Sequence, residues 1–357
     1  MESIDKPVKL KSLKKEEYKK HIKLEEMPEE FFYVYKELRN KHFENIEILR
    51  KKNVILRYIL AITLFLFVIC LLAIFVIQMI FENDIWVTEI FFSLIFTVPF
   101  IFISLIFVQQ SVESKYLLEY KNKIISTFIE LLNPKFLYRH FIKRARIANT
   151  YNWREMERNK EIMEHYLDAD FDGKTMCIIE ENERVEGFTK EKFYFSMSDL
   201  LVMNEYTLPD GKTVSKKIFE GLFCWTEIEN NLNTCLKINI NKNNKIKSAK
   251  NYQVRMDSSE FENLFDIYCD DKILAMRILT ADIMELLIKF YNQYYIPFEI
   301  CCRNNKLYVR FFIKDMFEPT LLKDAMDIKV LYMHYAILDF TVQFNKKINK
   351  IISEIDV

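Results

Sequence analysis

Residues 58–81 read YILAITLFLFVICLLAIFVIQMIF, and residues 90–108 read IFFSLIFTVPFIFISLIFV. Neither run contains Asp, Glu, Lys, Arg or His. A helix needs about 20 predominantly apolar residues to cross the hydrocarbon core of a bilayer. The first run exceeds this length and the second just reaches it. The two runs therefore predict a transmembrane helical hairpin whose arms are joined by a short connection.

The charges beside the two runs predict the orientation of the hairpin. The connection carries Glu82, Asp84 and Glu89 and lacks Lys and Arg, whereas basic residues flank the hairpin on both outer sides. Cytoplasmic loops carry an excess of Lys and Arg. We therefore expect both termini in the cytoplasm and the acidic connection outside. The flanking basic residues are Lys36, Arg39, Lys41, Arg50, Lys51, Lys52 and Arg57 before the hairpin, and Lys115, Lys121, Lys123, Lys135, Arg139, Lys143, Arg144 and Arg146 after it.

Composition limits the remaining possibilities. The chain has 357 residues with a formal net charge of +0, which gives no indication of a nucleic-acid partner. It has only 4 Gly, which leaves little material for a phosphate-binding loop. The first apolar run begins too late and is too long for the core of a secretory signal peptide. Both spans are therefore expected in the mature protein.

Of the 7 cysteines, Cys70 lies in the first span and the other six lie in the part expected in the cytoplasm. These six are predicted to be free thiols, because the cytoplasm is reducing. The sequence has no C-x-x-C pair, which argues against a structural zinc site. Cys301 and Cys302 are adjacent and would point to opposite faces of a strand. We interpret both as small buried apolar residues.

After the hairpin, the pattern changes from helical to strand-like and then to mixed elements. This order favours an α+β fold. We predict a transmembrane helical hairpin with cytoplasmic helical extensions, followed by a mixed, largely antiparallel β-sheet domain with packed helices. Strands are predicted at 192–203, 214–228, 236–240 and 299–313, with turns at 210–211 and 304–305; helices are predicted at 115–132, 259–268, 281–293 and 330–352.

These elements divide the chain into six predicted segments. The divisions follow the two apolar runs and the change from helical to strand-like spacing. They are a charged N-terminal cytoplasmic segment at 1–53, the first transmembrane helix at 54–81, a short external loop at 82–89, the second transmembrane helix at 90–109, a cytoplasmic helical connector at 110–160 and a cytoplasmic α+β domain at 161–357.

One segment resembles the start of a calcium-binding EF-hand loop. Asp168, Asp170 and Asp172 alternate and are followed by Gly173. Such a loop needs a bidentate Glu at its twelfth position. That position holds Ile179, and the next Glu comes one residue late. An acidic turn before a strand is the alternative interpretation, and we favour it.

Other side chains offer weaker candidates. His165 lies three residues before Asp168 and could join a carboxylate–histidine metal site. His21, His42, His140 and His334 show no mutual spacing that suggests a ligand set. No G-x-S-x-G, Walker A, H-E-x-x-H or kinase signature is present. The sequence therefore predicts no catalytic, cofactor-binding or metal-binding residues.

Two segments suggest surfaces for partners. Residues 135–146 read KFLYRHFIKRAR, a basic cluster with interleaved aromatic residues. Such a cluster beside a membrane can contact anionic lipid head groups, or it can simply be a solvated helix face. Residues 219–225 read FEGLFCW and can form either an exposed apolar patch or a core strand. We favour the core strand.

Several segments together resemble an uncharacterised bacterial family, domain of unknown function 3137. The resemblance covers roughly residues 115–345 and implies membership without chemistry, because the family has no known catalytic residues. It also implies a bacterial inner (plasma) membrane location. The matching segments are 195–200 (FSMSDL), 219–223 (FEGLF), 259–268 (SEFENLFDIY), 273–280 (ILAMRILT) with Met284, and 316–320 (MFEPT).

The function predicted from these observations is an interaction or scaffold domain held at the inner membrane. Its partners would be the bilayer and either another protein or copies of itself. An enzyme acting on a membrane-associated substrate is the alternative. A transporter or channel finds little support, because intramembrane ionisable residues usually mark ion or proton paths and neither span has any.

Overall fold

The computed structural model describes residues 13–80, 85–140, 153–169, 178–229, 232, 234–240, 252–319, 321 and 324–355. The chain divides into two compact units. The sheet unit contains Met1–Tyr35, Ser126–Phe317 and Ile328–Val357, and the helical unit contains Lys36–Ile125 and Glu318–Asp327.

Helices account for most of the helical unit and flank the strands of the sheet unit. Short 3₁₀ turns lie at Lys19–His21 and Leu24–Glu26, and a π-helical segment lies at Lys121–Ile125. The α-helices are α1 Lys15–Tyr18, α2 Glu29–Ile80, α3 Ile85–Tyr120, α4 Ser126–Leu132, α5 Trp153–Ala169, α6 Ser259–Leu264, α7 Lys272–Ile278, α8 Ala281–Tyr294 and α9 Ile328–Ile355.

In the helical unit, polar contacts join α2 and α3 near the ends of the apolar runs. Arg57 forms a 2.6 Å ion pair with Glu113, and Gln109 lies 3.4 Å from Asn53. Two helices in the described residues are long and apolar enough to cross a membrane. In the parts of these helices whose side chains are described, many apolar side chains are exposed, such as that of Phe65 at 65%. The sequence therefore predicted these two helices and their apolar surfaces correctly.

Within the described residues of the sheet unit, nine strands form one sheet in the order β2–β3–β4–β5–β10–β9–β6–β8–β7, and β1 pairs with β11 in parallel. Every pairing in the nine-stranded sheet is antiparallel. The strands are β1 Leu13–Lys14, β2 Phe136–His140, β3 Ile178–Phe188, β4 Tyr194–Thr207, β5 Thr213–Glu227, β6 Leu236–Ile240, β7 Gln253–Val254, β8 Phe265–Cys269, β9 Phe298–Arg303, β10 Lys306–Phe311 and β11 Ile313–Lys314.

Helices cover both faces of this sheet, so its central strands are apolar on both sides. On one face, Tyr166 of α5 packs on Phe223, with ring centroids 5.2 Å apart. On the other face, Phe290 of α8 stacks on Phe340 of α9 at 4.1 Å, and both contact Phe298 of β9. The fold is therefore α+β, with a large antiparallel sheet between packed helices.

Gly221 of β5 belongs to the FEGLF segment, and the structure explains why glycine occupies it. A Cβ at this position would lie 2.3 Å from the carbonyl oxygen of Phe311 in β10. The backbone also has a φ of +157°, which side chains of L-residues rarely adopt. Any larger residue would therefore push β10 away from β5.

The structure differs from the predicted elements in three places. Residues 85–89 belong to α3, whereas the sequence placed them in a short loop before the second span. Phe136–His140 forms an edge strand, β2, whereas the sequence placed it in a helical connector. The predicted helix over 259–268 ends at Leu264, and Phe265–Cys269 continues as β8. In β8 the alternate residues Phe265, Ile267 and Cys269 are buried, and pairing with β6 satisfies the backbone. Period-two burial overrides the local helical pattern there.

Candidate functional site

His165 of α5 is held against the sheet. Its ring stacks on that of Trp225 in β5, with centroids 4.1 Å apart, and its Nδ1 lies 3.4 Å from the Lys306 Nζ. Burial lowers the pKa of His165, and the nearby Lys306 charge adds to this effect. The imidazole therefore packs as a neutral aromatic group between a helix and a strand.

Asp168 of α5 also has its partners within the sheet unit. It accepts a 2.6 Å hydrogen bond from the Tyr308 hydroxyl and a short one from the Asn304 amide. Two residues earlier, the Tyr166 hydroxyl accepts a hydrogen bond from Arg310, which also pairs with Glu299. These bonds fix the C-terminal end of α5 to β9 and β10. His165 and Asp168, which were singled out from the sequence, thus attach α5 to the sheet.

The remaining part of the calcium-loop candidate cannot be placed, because residues 170–177 lie outside the described residues. Ile179, at the position of the missing Glu, is buried in β3. Among the residues that the structure describes, no group of three His, Cys, Asp or Glu side chains could hold a metal ion.

The other histidines are dispersed. His334 is buried in α9, His42 lies in α2 of the helical unit and His140 lies in the edge strand β2. His21 lines a cavity, which is described below. The structure thus places the candidate histidines at separate points and assembles no ligand set from them in its described part.

The predicted partner surfaces also have different outcomes. Phe219, Phe223 and Trp225 are buried in the core under α5, as favoured from the sequence. In the basic cluster, residues 136–140 form β2, and residues 141–146 lie outside the described part of the chain. Lipid contact by this cluster stays a prediction.

A groove of about 1020 Å³ lies in the sheet unit between α8, α9 and the 3₁₀ turns near the N-terminus. Aromatic side chains line it, and we call it the tyrosine groove. Its lining residues are Lys20, His21, Lys23, Glu26, Pro28, Leu286, Lys289, Phe290, Asn292, Gln293, Tyr294, Tyr295, Tyr332, Tyr335, Ala336, Asp339 and Phe340.

Helical spacing explains why tyrosines meet there. Residues three apart in a helix lie on one face, which places Tyr332 beside Tyr335 on α9. Their rings are stacked, with centroids 5.9 Å apart. On the facing helix, α8 ends at Tyr294, and Tyr295 follows in the left-handed conformation with φ 54°. This conformation is unusual for an aromatic residue, and such backbone strain is concentrated at functional sites.

The floor of the tyrosine groove is held by a directional chain of hydrogen bonds. The Tyr294 hydroxyl donates to that of Tyr332 at 3.1 Å, and the Tyr332 hydroxyl donates to the Glu26 carbonyl at 3.3 Å. The Phe31 ring lies 5.1 Å from Tyr332 and 5.7 Å from Tyr335. The aromatic surface is therefore positioned before any ligand arrives, which lowers the entropic cost of binding.

The tyrosines of the groove are neutral, and its rim carries side chains of both charges. Burial raises the pKa of Tyr335 to about 12 and also raises that of Tyr332. Burial and the nearby Glu30 raise the pKa of the Asp339 carboxyl. On the rim, Lys20 and Lys289 are exposed, whereas Lys23 forms a 3.1 Å ion pair with Glu26. The groove thus offers apolar faces, fixed hydroxyls and exposed positive charge.

The lining determines what the groove can offer chemically. The groove residues supply ring faces and hydrogen bonds, but no nucleophile is paired with a base in the described lining. Sequence reasoning missed the groove because the helical pattern of Tyr332 and Tyr335 is also that of a core helix. The concentration of Tyr at 291, 294 and 295, immediately before Pro297, was the available signal.

The fold and groove define a class: an α+β domain with an aromatic groove, in a chain that also carries two candidate membrane spans. The model of the family DUF3137, described as a protein of unknown function, matches residues 217–355. This part of the chain therefore matches the model of that family, which confirms the resemblance seen in the sequence over residues 217–355. The match includes α8, α9 and the strands from β5 onward, whereas residues 115–216 lie before it.

Two other comparisons add nothing to the function. A similar solved structure is the crystal structure of the mycobacterial trehalose monomycolate transport factor A, TtfA, with 8% sequence identity. The alignment covers 56% of this chain and 95% of that one, with a TM-score of 0.23. A likeness this weak supports no argument about fold or activity. No curated protein matches the chain.

Proposed function

We propose that this chain is a membrane-anchored interaction protein of the bacterial inner membrane, in which two spans hold a cytoplasmic α+β domain that binds a segment of another protein. The tyrosine groove carries the binding part of the proposal. Its volume of about 1020 Å³ is comparable with that of ligand pockets in general, which is about 300–1,000 Å³. Tyrosine supplies large contact area with few rotatable bonds, which suits recognition.

The charge of the rim indicates the kind of segment. Lys20 and Lys289 are exposed, and Lys23 is 71% exposed at its side chain although it pairs with Glu26. A partner segment that carries acidic side chains beside an apolar or proline residue would match both the rim and the ring faces. Self-association is the competing outcome, and the experiment below distinguishes it by the mass of the adduct.

The membrane part of the proposal rests on the exposed apolar faces of α2 and α3. Phe100 is 74% exposed and Phe107 is 66% exposed. Contact of such large apolar side chains with water is energetically unfavourable. Hydrocarbon would cover them at no such cost. The basic flanks support cytoplasmic termini. The proposed orientation follows from these charges.

Membrane integration gives the first testable prediction. After a carbonate wash, the full chain is expected in the membrane pellet. Phe65→Arg should greatly reduce this fraction, because Arg at a span centre costs about 2.5–3.5 kcal/mol on insertion scales. Tyr58→Arg is the matched control: Tyr58 is 67% exposed and Phe65 65%, but Tyr58 lies at the span end, where Arg can reach the interface. Recovery of the wild-type chain in the supernatant would contradict the proposal.

Orientation is tested separately with C-terminal fusions. A fluorescent protein that folds only in the cytoplasm should be bright at the C-terminus, whereas alkaline phosphatase, which needs the periplasm, should be inactive there. The same pair of reporters fused after residue 84 should give the opposite result. Active phosphatase at the C-terminus would contradict a cytoplasmic domain.

The groove gives the second prediction. A photoreactive benzoyl-phenylalanine in place of Tyr295, which is 51% exposed, should form one discrete adduct in living cells. When Tyr335→Ala is added to this photoreactive variant, binding of the partner should weaken by about 2 kcal/mol, or about thirtyfold, as expected for an interface tyrosine. Tyr335→Phe should retain most of the adduct, because it preserves the ring face.

The control for this experiment is a residue that does not line the tyrosine groove. Asp210, in the turn between β4 and β5, is exposed, and the same photoreactive residue there should form no discrete adduct. An adduct whose mass is twice that of the chain would identify self-association. No adduct at Tyr295, or the same adducts at both positions, would contradict binding in the groove.

The alternative of an enzyme acting on a membrane-associated substrate finds less support. His165 and Asp168 are engaged by Trp225, Tyr308 and Asn304, so they contribute to helix packing. Asp170 lies outside the described residues. A catalytic base must lie within hydrogen-bond reach of the substrate proton that it abstracts, whereas His165 and Asp168 contact other residues of the domain.

A further inference from the structure

Two cysteines meet on the face of the sheet that α5 covers. In the pairing of β6 with β9, Lys237 lies opposite Cys301. Cys235 comes just before β6, two residues ahead of Lys237, and packs against the core cluster that contains Cys301. An extension of the register would place it diagonal to Cys301. Cys301 is fully buried, and the partly buried Cys235 packs against the same core cluster. The pair thus has one partly exposed cysteine, Cys235, and one buried cysteine, Cys301.

Positive charge surrounds the accessible member. Lys237 and Arg303 lie close enough to stabilise a Cys235 thiolate, and Cys301 can donate a hydrogen bond to it. The hydrogen bond from Cys301 and these charges lower the pKa of Cys235 to about 7. Burial and the Asp270 carboxylate oppose this effect. Partial exposure in an electropositive environment is the setting in which cysteines react.

The buried member has a structural role in the reduced state. The Cys301 thiol donates a hydrogen bond to the carbonyl oxygen of Ala169, with a sulfur–oxygen distance of 3.2 Å. Ala169 is the last residue of α5, and carbonyls in the last turn of a helix have no partner within the helix. The thiol therefore caps α5. Its single hydrogen cannot serve both Ala169 and a Cys235 thiolate at full strength.

We propose that Cys235 and Cys301 form a peroxide-sensitive thiol pair, in which Cys235 reacts first and Cys301 then resolves the product. The Cys235 thiolate attacks one oxygen of a hydroperoxide, the O–O bond breaks and a sulfenic acid forms with release of hydroxide or alkoxide. The Cys301 sulfur then attacks the Cys235 sulfur, forming the S–S bond. The sulfenic hydroxyl leaves with the Cys301 proton as water, so two thiols are oxidised and one peroxide is reduced.

The position of Cys235 allows this closure. Diagonal neighbours across two strands lie slightly farther apart than a relaxed disulfide requires. Cys235 precedes the paired residues of β6, Leu236–Ile240, so its backbone can approach β9 without breaking the ladder. This movement must release the 3.0 Å hydrogen bond that the Cys235 N–H donates to the Asp270 carboxylate. Once the disulfide forms, Ala169 loses its thiol donor. Oxidation thereby loosens the end of α5, which carries the contacts of His165 and Asp168.

The test uses the purified full chain in detergent, with hydrogen peroxide added in stoichiometric amount near pH 7. Peptide mapping should recover a Cys235–Cys301 linked pair and no other disulfide. Alkylation of Cys235 in the reduced chain should show a midpoint near pH 7, lower than the value of about 8.5 for an unperturbed thiol. Hydrogen exchange at the end of α5 should be faster in the oxidised chain than in the reduced one.

Two matched variants complete the experiment. Cys301→Ala should stop the reaction at the sulfenic acid, which dimedone traps at Cys235. Cys302→Ala removes the same atom from the neighbouring, equally buried position and should still give the disulfide. Circular dichroism checks that both variants fold. A wild-type chain that gives no linked pair, or equal dimedone labelling of wild type and Cys301→Ala, would overturn the proposal.

Discussion

Replacing Glu181 by alanine is expected to lower the free energy of unfolding of the sheet unit by about 3–5 kcal/mol, because it leaves a buried guanidinium without its main partner. Arg184 donates two hydrogen bonds to the Glu181 carboxylate, at 2.7 and 3.2 Å. The Glu181 side chain is fully buried, and Arg184 is 9% exposed. Ser198 donates a further hydrogen bond to Glu181 at 2.6 Å. Thermal unfolding of the full chain in detergent measures the loss.

A double variant distinguishes the charge from the packing. Glu181→Leu combined with Arg184→Met replaces the ion pair by apolar groups, which is often neutral or stabilising when volumes are similar. It should therefore recover much of the stability lost in Glu181→Ala. Arg184 also contacts Glu186 at 3.3 Å and Glu161 at 3.5 Å, so recovery should be incomplete. Equal melting temperatures for wild type and Glu181→Ala would refute the assigned role.

Acidification is expected to destabilise the sheet unit through His334. This residue is 1% exposed in α9, and its Nδ1 lies 2.8 Å from the Val330 carbonyl. Burial, with a contribution from the charge of Lys15, lowers the pKa of His334 to about 3. Because the folded state resists protonation that the unfolded state accepts at about 6.5, stability is complete above that pH and falls as the pH falls towards 3.

The size of this effect follows from linkage. Each pH unit within the window changes the free energy of unfolding by up to about 1.4 kcal/mol for one proton, so lowering the pH from 7 to 5 should cost about 2 kcal/mol. Denaturant unfolding at pH 7, 6 and 5 measures it. His334→Leu should be less stable at pH 7 but should have a shallower slope. The difference between the two slopes isolates His334 from His165, whose pKa is also lowered by burial.

The local sequence pattern was sufficient to predict many helices, strands and turns of the fold. The turn at Asp210–Gly211 and the two strands beside it were predicted, as were α8 and α9 to within a few residues at each end. Strong periodicity and turn chemistry act over short distances, so they are visible in sequence. The strand at Phe265–Cys269 was missed because only its pairing with β6 distinguishes it from the end of a helix.

The Glu181–Arg184 pair shows a second kind of limit. Residues three apart in a regular strand point to opposite faces. A register shift between Glu181 and Glu183 places an extra residue in β3, and this bulge brings Glu181 and Arg184 to the same face. Nothing in the sequence around Asn182 indicates that a bulge occurs there. The ion pair was therefore not predictable from spacing.

The sequence by itself determined that the chain has two long apolar helices, an antiparallel sheet and helices that pack on it, because burial of apolar surface follows short-range periodicity. Only the tertiary structure decided which side chains meet. It placed His165 and Asp168 in contacts between α5 and the sheet. It also assembled the tyrosine groove from three separate segments and placed Cys235 beside Cys301. These sites depend on strand register and helix docking, which bring together residues far apart in the chain.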